Sequence, residues 1–295
     1  MSSTPAGAPL PPEPLPTGDR RSRILSGGTR VEGRRAVAIA LASTAIFLTV
    51  IAVVAVNSAG WGEFSDKFLN WQEFWDSFPG VARAFLVNIQ LFLIAEVLVL
   101  ILAMGVAVLR SLPGPVFFPI RILAAVYTDL FRGIPTVLVI YTLGFGAPAL
   151  QIQGVPKSPF FWAVVSLVLV YTAYVAEVYR AGIESVHESQ VAAARSLGLT
   201  RWQSTRYVVL PQAVRRIIPP LLNDFLGLQK DTALVALIGV IEAFRQGQID
   251  SSATFNFTPL LATAFFFVLI TIPLARFIDW LVTRDRRRRQ AGGLA

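Results

Sequence analysis

Apolar residues in this chain gather into long runs separated by short stretches rich in charge, proline and glycine. Runs of this length have the size of membrane-crossing helices. Residues 36–56 hold no charge at all. At 1.5 Å per residue that helix would cover about 31 Å, the thickness of a hydrocarbon core. Five more runs follow at 81–109, 122–143, 160–175, 217–241 and 260–282. The second carries Glu96, the third is interrupted by Arg132, Gly133 and Pro135, and the fifth contains Pro219, Pro220, Asp224, Lys230 and Asp231. The pattern predicts an all-α polytopic membrane protein with about six transmembrane helices. Residues 1–35, crowded with proline and then arginine, read as a disordered basic tail, too polar to bury a core. The run at 36–56 is expected to stay as an uncleaved first span.

Composition agrees with that class. Of 295 residues 54% are hydrophobic and 15% charged, with a mean hydropathy of +0.60. Soluble domains carry about 25% charged residues. The absence of cysteine excludes a disulfide scaffold and a thiol nucleophile, and with a single histidine, His187, a zinc site would have to be mostly carboxylate. The net charge of +8 comes from 23 arginines and 3 lysines. With both termini inside, 19 of these cations fall on inner segments, against four outside: Lys67, Arg83, Lys157 and Arg245. The positive-inside rule then makes both termini cytoplasmic in a multi-pass cell-membrane protein. Residues 57–80, with Trp61, Trp71 and Trp75, are expected to lie on the outer surface as an interfacial segment. The basic tail at 284–295 suits anionic lipid better than nucleic acid.

The segment 179–216 is too long for a simple connection and is full of helix punctuation. Ser185 to Glu188 and Thr200 to Gln203 have capping-box spacing, Gly198 suits a left-handed helix end, and Pro211 is expected to stop the second short helix. A stripe at Val186, Gln190, Ala193, Ala194 and Leu197 offers a small-residue face. Periodicity leaves two occupants open for it: a socket in a partner protein, or lipid headgroups.

The run Gln190-Val-Ala-Ala-Ala-Arg-Ser-Leu-Gly198, with Val208-Val-Leu-Pro211 after nine intervening residues, resembles the cytoplasmic coupling motif of ABC-importer permeases. Phe131-Arg-Gly-Ile-Pro135, Ala173-Tyr-Val-Ala-Glu177, Arg180-Ala-Gly-Ile183, Leu210-Pro-Gln-Ala213 and Gln229-Lys-Asp-Thr232 resemble blocks of the polar amino-acid branch, in the right order. The resemblance covers roughly residues 80–285. It implies a five-helix type I importer core at 81–283, with the helix at 36–56 as an addition. The coupling residues it implies are Glu188, Gln190, Ala192, Ala193, Ala194, Arg195, Gly198, Leu210 and Pro211. The motif's usual glutamate falls at Ala192, and Glu188, one turn earlier, is a potential substitute.

The resemblance further implies a cytoplasmic ATPase dimer that binds ATP and magnesium, a second permease copy or homologue, and an external amino-acid-binding protein. This chain would bind no cofactor itself. Independently, Lys67, Lys157 and Lys230 are preceded by Asp66, Pro156 and Gln229, so no phosphate-binding Gly-Lys loop exists here. Gly144-Phe-Gly146 matches a dinucleotide fingerprint only nominally, having no strand before it.

Glu96, Lys230, Asp231 and Thr232 are candidates for a substrate pathway, because ionisable residues inside spans are costly unless paired or functional. Lys230 and Asp231 could instead lock helices together, and Glu96 could face a dimer interior or a neighbouring helix. Rival functions are an ion- or proton-coupled carrier using Glu96 and Asp231, and a membrane scaffold.

Overall fold

The structure, a computed structural model, describes residues 34–292, so the expected tail lies outside the described residues except for its last two arginines. The chain divides into two compact units, residues 1–61 and 62–295. In the first, α1 (Arg34–Val56) is an uninterrupted helix with no buried residue among those described.

From Gly62 onward the second unit holds the rest of α2 (Trp61–Phe68) and then α3 (Trp71–Ser111). Asn70 caps α3 by accepting from the amides of Gln72 and Glu73, and the helix then runs 41 residues. Residues 71–80 therefore form the first turns of a long helix, and only α2 remains as a separate short helix within 57–80. Ala95, Val99, Ala103 and Ala107, spaced by four and fully buried, form a narrow seam along α3. Small residues of this kind let membrane helices approach closely. Against α3 packs α6 (Pro159–Glu184), the most enclosed of the long helices.

Between them, α4 (Phe118–Gly133) and α5 (Thr136–Tyr141, extended through a π turn to Ala149) meet at a bend of 105°. The sequence reading of one span at 122–143 is corrected to two helices. Pro135 supplies no amide donor and forces Ile134 into an extended conformation, φ −92° and ψ 131°. The expected span at 217–241 is corrected more deeply. The helix α9 (Leu210–Asp231) ends in a 3₁₀ turn (Thr232–Ile238), Gly239 turns the chain at φ +88°, and α10 (Ala243–Thr254) follows. Its prolines and charges make α9 too polar to pass as a span by composition. Four described helices are long and apolar enough to cross a membrane, or five if the bent pair counts as one.

The last helix, α11 (Thr258–Gly292), starts beside α2: Phe257 donates to the Lys67 carbonyl at 2.7 Å and Asn70 to the Thr258 hydroxyl at 3.0 Å. It continues as helix through residues expected as a tail. The main apolar core joins α3, α5, α6, α9 and the 3₁₀ turn, and Val81, Phe85 and Ala243 form a smaller one.

Candidate functional site

The segment after α6 forms a compact unit. Helix α7 (Glu188–Ser196) is capped by His187, whose ring nitrogen accepts from the Ser189 amide at 3.2 Å. Ser185 is not the cap expected of it; it closes α6, its hydroxyl donating to the Gly182 carbonyl. At the other end Gly198 has φ +83°. Its amide donates to the Arg195 carbonyl and that of Leu199 to the Ala194 carbonyl. This is a Schellman closure, which a side chain at position 198 would strain. Thr200 and Gln203 make the reciprocal capping box of α8 (Arg201–Ser204). Pro211 does not stop the helix: α8 passes through a π segment (Thr205–Val209) straight into α9. The wider π turn gives proline's missing donor somewhere to fall.

The stripe on α7 splits into two faces. Val186 and Ala194 are buried, Ala194 at 4% exposure, on the side where α7 packs against the π segment. Ala194 is thus an inward residue. Glu188, Gln190, Ala192, Ala193, Arg195 and Gly198 are exposed, as are Leu210 and Pro211, and Leu197 projects at 83% exposure. Ala192 and Ala193 thus stand bare beside an exposed leucine.

Two contacts tie this unit to the helices. Arg216 on α9 donates to the Ser185 carbonyl. Gly182 on α6 meets Ile217 on α9 so closely that a Cβ at 182 would lie 2.2 Å from Ile217 Cγ1. Above them Glu177 is held from several directions. Arg110 of α3 bonds its Oε2 at 2.8 Å, Arg180 holds both its oxygens and also Glu184, and Arg132, at the α4–α5 bend, lies 4.0 Å away. The Glu177–Arg180 pair is thus one edge of a clasp across three helices. Arg132 sits in the last turn of α4, at the bend.

The four pathway candidates separate. Asp231 accepts from the Tyr171 hydroxyl at 3.0 Å, joining α9 to α6. Lys230 is exposed, with no carboxylate within 4.0 Å among the described residues. Glu96 is close enough to Asp224 for their charges to interact. One buried oxygen of Asp224 has no hydrogen-bond partner among the described residues. Thr232 is fully buried and belongs to another cluster. Its hydroxyl donates to the Gln229 carbonyl and accepts from the Asn88 amide. The same amide donates to Glu242 at 2.8 Å, and the Asn88 oxygen accepts from the Ala243 amide. Glu242, 0% exposed, caps α10 by accepting from the amides of Phe244 and Arg245. Thr232 is therefore bonded into a junction between α3 and the end of α9. Among the described residues no group of ligands suits a metal ion.

Glu242 escaped the sequence reading. The only signals were a carboxylate shortly before a helix and a nearby glycine, and glutamate is not a favoured cap. Arg110, one of the cations counted on inner segments, finds its partner 67 residues away.

Comparison with known proteins decides the family. The model for "Binding-protein-dependent transport system inner membrane component" matches residues 109–287, which include the whole α7–α8 segment. The chain belongs to this family of membrane permease components. The probable amino-acid permease protein YxeN of Bacillus subtilis is 31% identical over 205 residues, covering 69% of this chain and 90% of that protein. The glutamine transport system permease protein GlnP of Escherichia coli is 36% identical over 162 residues, 55% of this chain and 74% of that one. Among solved structures, an amino acid ABC transporter with histidines superposes with a TM-score of 0.67 at 28% identity, covering 73% of this permease and 98% of its own chain. The MetNI methionine ABC transporter, at 16% identity and a TM-score of 0.55, shares the fold over 69% of this chain and 95% of its own.

Proposed function

We propose that this permease is the membrane-spanning subunit of an ABC importer for polar amino acids. It works with a second permease subunit, two cytoplasmic ATPases that bind ATP and magnesium, and an external amino-acid-binding protein. The observation that carries the reading is the family match across 109–287, which contains the outward face of α7; the amino-acid names of several relatives support the substrate class. The last turns of α3 and α6, the stretch from α7 to the first turns of α9 and the basic end of α11 carry 12 of the 23 arginines, so we place that end and both termini in the cytoplasm.

The geometry supplies a route for work. A partner pressing on Ala192, Ala193 and Leu197 moves α7. Because α8 continues into α9, and Arg216 and Gly182 bind α9 to α6, that movement reaches both helices at once. These helices carry Tyr171 and Asp231, so tilting them reshapes the space beside Glu96 and Asp224. Substrate crosses by alternating access and undergoes no covalent change.

Co-purification with an ATPase, then uptake of labelled amino acids into vesicles, tests this reading. ATP-dependent uptake is expected. Uptake driven by an ion gradient without ATP would instead support a secondary carrier, and stable ATPase binding without any uptake a scaffold.

A further inference from the structure

At the end of the molecule that carries α7, a cleft of about 420 Å³ opens between the last turn of α3, the first turns of α4 and the last turns of α6. Arg110, Arg121, Arg180 and one carboxylate, Glu184, line it, with Phe118, Ile122 and Ala125 as its apolar wall. We propose that this cleft binds the headgroup of an anionic phospholipid. The inference rests on the proposed orientation, which puts the cleft at the inner leaflet.

Three features favour this occupant. First, donors outnumber acceptors. Each guanidinium has five N–H groups. Arg110 gives one bond to Glu177, Arg180 gives three to Glu177 and Glu184, and Arg121 gives one to the Leu112 carbonyl at 3.1 Å. Among the described residues no carboxylate lies within 4.0 Å of Arg121, and its guanidinium stands 5.9 Å from the Phe118 ring centre. Three cations against Glu177 and Glu184 leave one positive charge uncompensated. A phosphodiester supplies the missing charge and several acceptors in a geometry that guanidinium fits.

Second, the surroundings suit acyl chains. Val116 is 83% exposed and Leu123 70%, and Phe117, Phe118 and Ile122 are also exposed. A free phosphate would use the arginines and leave this apolar wall bare, whereas a lipid uses both. Third, basic pockets between membrane helices on the cytoplasmic side are where anionic headgroups gather.

The site would touch the transport machinery indirectly. Arg110 and Arg180 are also the residues that hold Glu177, so a bound phosphodiester competes with Glu177 for their donors. Lipid composition would then set how firmly α3 and α6 are clasped.

The test uses the assembled permease–ATPase complex in mild detergent, titrated with phosphatidylglycerol, phosphatidylethanolamine or inorganic phosphate and read by native mass spectrometry. Phosphatidylglycerol should be retained in preference to phosphatidylethanolamine, and excess phosphate should not displace it. Arg121→Gln should lower phosphatidylglycerol retention about fivefold, the size of one basic residue at an anionic surface, and Arg121→Lys should recover most of it. Equal retention of the two lipids, displacement by phosphate, or an Arg121→Gln variant that binds phosphatidylglycerol normally would each overturn the proposal. So would an Arg121→Gln variant that releases the ATPase while keeping the lipid, since an acidic protein surface would then be the occupant. ATP-driven uptake by the wild-type complex, measured in vesicles of both lipids, keeps the two readings apart. Uptake with no preference in lipid binding removes only the lipid site, and selective lipid binding without uptake removes only the transport reading.

Discussion

The two ends of α9 are built in opposite ways. At its start Leu210 and Pro211 are exposed, the helix is entered through a π segment, and the neighbouring α7 presents bare alanines and Leu197. At its finish Gln229 and Thr232 are buried, and Asn88 and Glu242 complete a network whose carboxylate is fully enclosed. An open, charge-rich end can change partners at little cost, because water and other proteins replace what it loses. A closed polar network cannot, since each broken bond strands a buried donor or acceptor. In the proposed mechanism the closed end is the pivot of α9 and the open end its handle.

The largest effect should come from breaking the pivot. Glu242→Leu leaves the Phe244 and Arg245 amides and the Asn88 side chain without their acceptor. At ~1–3 kcal/mol for each stranded group, the variant should unfold well below wild type in a thermal scan in detergent. Glu242→Gln, which keeps an acceptor and the shape, should lose much less. A Glu242→Leu variant as stable as wild type would mean that the node carries no weight.

Gly182→Val comes next. Its Cβ would collide with Ile217, an overpacking of about 1–3 kcal/mol. Adding Ile217→Ala should restore part of the stability, because the two changes meet at one point of contact. If the double variant is no better than the single one, α6 and α9 are not joined there. Gly198→Val should cost roughly 1–2 kcal/mol, all of it local to the end of α7. The global thermal midpoint should barely move while ATP-driven uptake falls; a large midpoint shift would show that the handle is not separable from the core.

Which of these features the sequence announces depends on the range of the interaction behind it. The handle was legible because its signals are local. Gly198 at a helix end and the Thr200–Gln203 box lie within four residues of what they satisfy. The inward turn of Ala194 was not legible, because it depends on where the π segment places the next helix. The pivot was hidden for a related reason: Asn88 meets partners 144 and 154 residues away. A polar residue in an apolar run tells a reader that something must satisfy it, not what does. The same holds for the break at 232–242, where apolar residues continued through a turn and mimicked a span.

The smallest effect sharpens the handle. Ala192→Glu places a carboxylate three residues before Arg195 and four after Glu188, so helix terms of about 0.2–0.5 kcal/mol nearly cancel. Any sizeable change in ATPase binding then reports the partner's surface. A basic socket should bind the variant more tightly, and less so as salt rises; a socket without one should bind it more weakly. No change with either this variant or Glu188→Ala would leave the face without a charged partner.

The most direct test of the central claim, that the outward face of α7 receives the work of ATP hydrolysis, is ATP-driven uptake and ATPase retention measured together on Leu197→Arg. This side chain already points away from the core, so the account predicts a normally inserted protein with an unchanged thermal midpoint. It should retain the ATPase roughly tenfold less or worse and have lost uptake in proportion. Full retention and full uptake by Leu197→Arg would contradict it.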